Sequence, residues 1–216
     1  MTAAFILIFI KKDSQKQGSY KEVDALDISK TGCYKDLFKN KKYLALLATA
    51  FFMLGPTLAH NTYFGFLYKD VGGTVRGIGL ALLLMVISEM PFMAWSERIC
   101  RKFTLERMIL IVMIVSAIRF IWYSTKPDPT LLTLTFFIQG FVNGLFLVEM
   151  VKYIAKTVNQ SMVSLALPLY TALASNCGTI TCQLAGGIIV QYYGGAGVYL
   201  FFGLLNTIAI IIYLKN

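Results

Sequence analysis

The sequence predicts an all-α membrane protein of six transmembrane helices, and three observations carry that prediction. Hydrophobic residues make up 57% of the 216 residues and charged residues 14%, with a mean hydropathy of +0.66; a soluble core of this size cannot hide that much apolar surface. The apolar residues are gathered in long runs rather than spread at the spacing of amphipathic elements. Basic residues alternate between crowded and nearly empty loops, the pattern that orients helices in a bilayer.

Taken in chain order, residues 1–10 hold the apolar stretch Ala3–Ile10. It is too short to span and no basic segment precedes it as in a secretory signal, so the expectation is the stub of a preceding transmembrane helix. Residues 11–42 are polar and of mixed charge. They read as a cytoplasmic linker, with room for a short amphipathic helix around Tyr34–Phe38. Residues 43–216 form the six-helix transmembrane bundle. A hydrocarbon core of about 30 Å takes about 20 apolar residues as helix, and the runs are Tyr43–Tyr68, Gly77–Trp95, Met108–Tyr123, Leu131–Val151, Met162–Val190 and Val198–Leu214. Spanning strands would be about 10 residues long and alternate polar with apolar, and open sheets leave backbone groups unpaired in lipid. The connecting turns are too short to house an extramembrane domain.

Orientation follows from the loops. Residues 11–42, 98–107 and 152–160 together with Lys215 carry sixteen Lys and Arg, against Lys69, Arg76 and Lys126 on the other side. Both termini are therefore expected in the cytoplasm. The same loops account for the net charge of +9 without nucleic acid. Cys33, Cys100, Cys177 and Cys182 are too few and too scattered for a disulfide scaffold or a metal site. No nucleophile sits near a base and no Gly-rich phosphate loop occurs. Neither a cofactor nor enzymatic chemistry is expected.

Small residues every four positions, Ala174, Gly178, Cys182 and Gly186 on the fifth span and Gly140 with Gly144 on the fourth, read as packing seams. Pro56, Pro91 and Pro168 interrupt spans and are expected to bend them.

Ionisable groups at membrane depth are costly and point to interior cavities. Four occur: Glu89, Arg119, Glu149 and His60. Glu149 reads as the interfacial partner of Lys152, three residues on. His60, beside Asn61 and Thr62, reads as structural or as lining a cavity mouth, with proton transfer as the other reading. Glu89 and Arg119 read as cavity-lining, either as partners of each other or as solute ligands. Gln139 and Asn143 share a face of the fourth span, and Asn176, Thr179 and Gln183 a face of the fifth.

The stretch Phe64–Met93, with S-E-M-P at Ser88–Pro91, resembles the seventh and eighth helices of the major facilitator superfamily. The similar branch is that of lactose permease and the oligosaccharide, nucleoside and phenylpropionate proton symporters. Ser116–Ser124, Gln139–Gly140, Val151–Ile154 and Ala185–Gly194 continue the resemblance in order. It implies two three-helix repeats, helices seven to twelve of twelve, with the amino-terminal half missing or separately encoded. It implies a multi-pass protein of the plasma membrane that moves a small solute (sugar, nucleoside or aromatic acid) with protons. Glu89 then matches a solute-site or coupling carboxylate and Arg119 a coupling arginine, with Gln139, Asn143, His60, Asn61 and Asn176 as further solute-binding or coupling candidates. Arg98, Arg101 and Lys102 resemble a gating loop. Gln139 stands where lactose permease carries a histidine, and Val142 or Asn143 where it carries a glutamate; neither can carry a proton. A half-size transporter working as a homodimer, and a non-transporting assembly partner or decayed transporter, are the alternatives.

Overall fold

In the computed structural model, residues 37–100 and 104–215 are described. The predicted stub, most of the linker, Arg101 and Lys102 lie outside the described residues. The described chain is helical, with short turns and no strand. Helix α1 spans Lys41–Asp70, α2 Val75–Cys100, α3 Leu105–Tyr123 and α4 Pro129–Thr157; a 3-10 turn, Gln160–Met162, leads to α5, Val163–Tyr170, then a π-helical segment, Thr171–Cys177, and α6, Gly178–Leu214.

Local chemistry sets several boundaries. The Asn40 side chain accepts from the N–H groups of Lys42 and Tyr43 and starts α1, and Asp128 accepts from Thr130 N–H at 2.8 Å with Pro129 in the first turn of α4. These are the capping residues expected where the first N–H groups have no helical partner. Gly194, with φ of 66°, breaks α6 into two limbs; that backbone region favours glycine.

Four helical stretches are long and apolar enough to cross a membrane: Lys41–Asp70, Val75–Ser96, Pro129–Thr157 and the composite Gln160–Leu214. Helix α3 is 19 residues long but holds Glu106, Arg107 and Arg119, and it is not among the four.

Apolar side chains cover the outside of the bundle as well as fill its interior. α3 presents Ile111, Ile114, Ile118 and Ile121 outward at helical spacing, and the second limb of α6 presents Leu200, Leu204, Ile208 and Ile211. Tyr43, Tyr123 and Tyr199 are turned inward, as are Ser116, Gly140, Gly178 and Asn206. α1 packs against α6, α3 against α6 and α4, and α2 against α4. The interior falls into two parts. One is rich in Leu, Met and Val, around Met53, Val112, Leu145 and Met150. The other is aromatic, around Phe64, Phe120, Tyr123, Phe136, Tyr199 and Phe202.

The Gly140–Gly144 seam is where α4 meets α2. A Cβ at Gly140 would run into Ser88 Oγ and the Met85 carbonyl, and one at Gly144 would lie 3.0 Å from the Glu89 carbonyl oxygen. A Cβ at Gly55 would lie 2.8 Å from the Gly178 carbonyl oxygen, so α1 and α6 approach as closely there. Hydrogen bonds stitch the other pairs, among them Tyr68 to Thr133 at 2.9 Å, Tyr123 to Thr135 at 2.8 Å and Asn206 to Ser116 at 2.8 Å. Such interhelical bonds contribute about 0.6 kcal/mol each on average in a bilayer.

Candidate functional site

The sequence-predicted polar residues separate into two groups that reach the surface in part and one that is wholly buried. On the α2–α4 side, Gln139 donates to Asn143 Oδ1 at 3.0 Å, as their four-residue spacing requires. The half-buried Glu89 carboxylate lies alongside the Asn143 amide. Asn143 is half-buried and also reaches Met85 Sδ at 3.9 Å. Gln139 itself is fully buried, and its amide oxygen has no partner among the described residues. The glycine seam makes this possible, since without Cβ atoms at 140 and 144 the α2 backbone at Glu89 lies against α4.

On the α1–α6 side, Asn61 and Thr62 are exposed. Gln183 donates to Thr62 Oγ1 at 3.2 Å, and Tyr63 donates to the Gln183 carbonyl. Asn176 is exposed in the π-helical segment. Thr179 turns its hydroxyl back to the Ser175 carbonyl at 2.6 Å. A uniform α-helical register therefore does not hold across Asn176, Thr179 and Gln183, because the π segment intervenes. Each π turn takes in an extra residue.

The buried group differs most from expectation. His60 does not line a mouth. It is fully buried, with Tyr199 Oη 2.6 Å from Nδ1. Five rings from four helices close around it: Phe64, Phe120, Tyr123, Phe136 and Tyr199, at centroid separations of 5.0 to 5.8 Å. Its position on α1 faces the aromatic part of the interior, whereas Asn61 and Thr62, the next residues around the helix, face out.

Arg119 is 4% exposed and does not pair with Glu89. Its guanidinium carbon lies 4.7 Å from the Phe120 ring centroid and 5.4 Å from that of Tyr123, and its nitrogens make no hydrogen bond among the described residues. The physical reason is lateral. α3 packs against α6 and α4 and turns Arg119 into the aromatic core, while Glu89 belongs to the α2–α4 seam. Cation–π contact replaces the expected ion pair. Among the described residues the one ion pair is Glu149 with Lys152, at 3.2 Å; Glu149 is 1% exposed and its second oxygen has no partner. Arg98, in the last turn of α2, is exposed.

Sequence reasoning missed Tyr199 and Asp70. Tyr199 holds His60. Asp70 accepts from Gly195 N–H at 3.2 Å across the break in α6. An acid at the end of a span beside a later G-G pair was the available signal. A depression of about 290 Å³ lined by Leu37, Asn40, Thr157, Val158, Asn159 and Met162 contains none of the candidate residues.

Residues 1–201 match the sequence profile of the MFS_1 like family. The chain is 32% identical over 180 residues to the maltose permease of Geobacillus stearothermophilus, covering 83% of this chain and 46% of that protein. It is 33% identical over 173 residues to the uncharacterized transporter YwbF of Bacillus subtilis (strain 168), covering 80% of this chain and 43% of that protein. The chain thus spans about half the length of the curated relatives it matches. With its apolar helices and this profile match, the chain is a multi-pass membrane protein and belongs to the MFS_1 like family of the major facilitator superfamily.

Proposed function

We propose that this chain is the carboxy-terminal six-span half of a lactose permease-like secondary transporter, working with an amino-terminal half on the same or another polypeptide. The six spans are α1 to α4 and the two limbs of α5–α6 divided at Gly194. α3 counts among them because 19 residues of helix reach about 28 Å, close to the hydrocarbon thickness, and because its isoleucine stripe suits lipid. The loop charges support cytoplasmic termini, and the resemblance to lactose permease-like transporters favours the plasma membrane.

The observation that carries the reading is polar surface at membrane depth. Glu89 beside Asn143, and Asn61, Thr62 and Asn176 with the half-buried Gln183, sit among otherwise apolar helical surfaces. Such groups are stable where they meet water, a solute or a polar partner. They would form this half's wall of a solute path: the Glu89 carboxylate accepts hydrogen bonds from solute hydroxyls, and the amides both donate and accept. Gln139 would support the wall by fixing Asn143, and Arg98 with Arg101 and Lys102 would form a cytoplasmic gate. The solute is a small molecule of the sugar, nucleoside or aromatic acid class, moved with protons as the two halves rock about the midplane. The relative named as a maltose permease favours the sugar class.

Uptake of a radiolabelled disaccharide, nucleoside and aromatic acid tests this, in cells expressing the chain together with an amino-terminal half. Accumulation of one of them, lost in Glu89→Gln, is expected. No accumulation of any, with both pieces inserted in the membrane, contradicts it.

A further inference from the structure

One row of buried residues runs through α5, the π segment and the start of α6 at an unbroken four-residue spacing: Ala166, Tyr170, Ala174, Gly178, Cys182 and Gly186. A continuous α-helix cannot keep such a row on one side. Each four-residue step overshoots a 3.6-residue turn by about 40°, so the steps from Ala166 to Gly186 would wind about 200° around the axis. The π segment Thr171–Cys177 lies inside the row. One extra residue held in a π turn takes back one residue's rotation, about 100°, and what remains fits a single inward face.

The two ends of the row are held differently. Beyond the π segment the contact with α1 is tight: a Cβ at Gly55 would lie 2.8 Å from the Gly178 carbonyl oxygen and 2.9 Å from Cys182 Sγ, and one at Gly186 2.6 Å from the Tyr63 ring. Before it, the backbone of α1 stands off from α5, and the Tyr43 hydroxyl bridges the gap by donating to the Ala166 carbonyl at 2.9 Å. Pro168 removes one N–H from this limb. Tyr170 is buried and its hydroxyl has no hydrogen-bond partner among the described residues, a cost that contact with water would relieve. Free space adjoins the segment, in an apolar groove of about 230 Å³ between Leu47 and Phe51 of α1 and Leu173 of the π segment.

We propose that the π segment is a swivel joint between α5 and α6, and that the Tyr43–Ala166 hydrogen bond is the latch that holds α5 closed. When the latch opens, the extra residue passes toward the start of α5. The limb then turns by about 100° and brings the Tyr170 hydroxyl to water, while the glycine contacts keep α6 on α1. In the orientation proposed above, α5 is the cytoplasmic end of the span, so the joint opens and closes that mouth. This inference goes beyond the transport reading, and its tests use no solute.

Thermal melts of the detergent-purified full chain test the extra residue. Deletion of Ala172, an exposed residue of the π segment, leaves a continuous helix with the row in place on both sides, and is expected to melt at or above wild type. Deletion of Leu184, an exposed residue of the regular helix, turns Gly178 and Cys182 out of register with Gly186 and is expected to melt lower or fail to fold. A loss on deleting Ala172 as large as that on deleting Leu184 overturns the joint. Labelling in membranes with a small permeant maleimide tests the latch. Ala166→Cys, with the four native cysteines replaced by serine, reports on α5; native Cys182, with the other three replaced, reports on α6. Tyr43→Phe keeps the ring and removes the bond, and is expected to speed labelling at Ala166→Cys severalfold, to leave Cys182 unchanged, and to have no effect once Ala172 is deleted. Equal gain at both positions overturns the proposal, because the whole span has then loosened; gain at neither, or gain that survives the deletion, overturns it as well. Loss of uptake with these results intact would count against the transport reading alone.

Discussion

Asp70, the last residue of α1, accepts a 3.2 Å hydrogen bond from the N–H of Gly195, the residue after the break in α6. The second limb of α6 begins there, and its first N–H groups have no helical partner, so a carboxylate from another helix supplies the cap. The bond ties the end of α1 to the break between the two limbs of α6.

Asp70→Ala is expected to cost about 1 kcal/mol, the ordinary value of a lost cap. For a chain of this size that lowers an apparent Tm by about 2–4 °C, measurable by a thermal melt of the detergent-purified protein. Asp70→Asn keeps an acceptor oxygen and should fall by less.

Gly194→Ala should be costlier than Asp70→Ala. The space around the position is open, with Asp70 Oδ2 3.5 Å from an added Cβ, so the effect comes from the φ of 66° and not from crowding. With ψ at −170° the residue lies in the extended positive-φ region that is essentially restricted to glycine, where alanine costs about 1–3 kcal/mol. Melts of both variants side by side rank the two effects.

The α2–α4 seam gives a sharper contrast. Gly140→Ala puts a methyl group into Ser88 Oγ and the Met85 carbonyl, while a Cβ at Gly79 meets nothing within 4 Å. Overpacking of this kind costs about 1–3 kcal/mol. Gly140→Ala should therefore melt several degrees lower, and Gly79→Ala should match or exceed wild type, because alanine favours a helix over glycine by about 1 kcal/mol.

Four stretches long and apolar enough to cross a membrane were legible in the sequence because lipid imposes a length and a composition that can be counted. The Gln139–Asn143 pair and the Gly140–Gly144 seam were legible too, since both follow from 3.6 residues per turn within one helix. What could not be read was sideways: which neighbour each face of a helix meets. His60 stands next to Asn61 in sequence yet lies inside the bundle while Asn61 lies outside, and Arg119 meets rings contributed by its own helix instead of the acid on α2. Tyr199 is 139 residues from His60, and no local pattern joins them. The π segment at Thr171–Cys177 was hidden because its composition is that of an ordinary helix; its extra residue per turn reorients Asn176 relative to Gln183.

Under the proposed function Asn143, beside Glu89, faces a water-filled solute path while the isoleucine face of α3 meets lipid. Membrane-impermeant thiol labelling tests it most directly, in the chain joined to its amino-terminal half with the four native cysteines replaced by serine. Asn143→Cys and Asn61→Cys are expected to label, Ile118→Cys to remain unlabelled, and a transported solute to slow labelling at Asn143→Cys severalfold. Labelling of Ile118→Cys with Asn143→Cys left unmodified would rule out a solute path on this side.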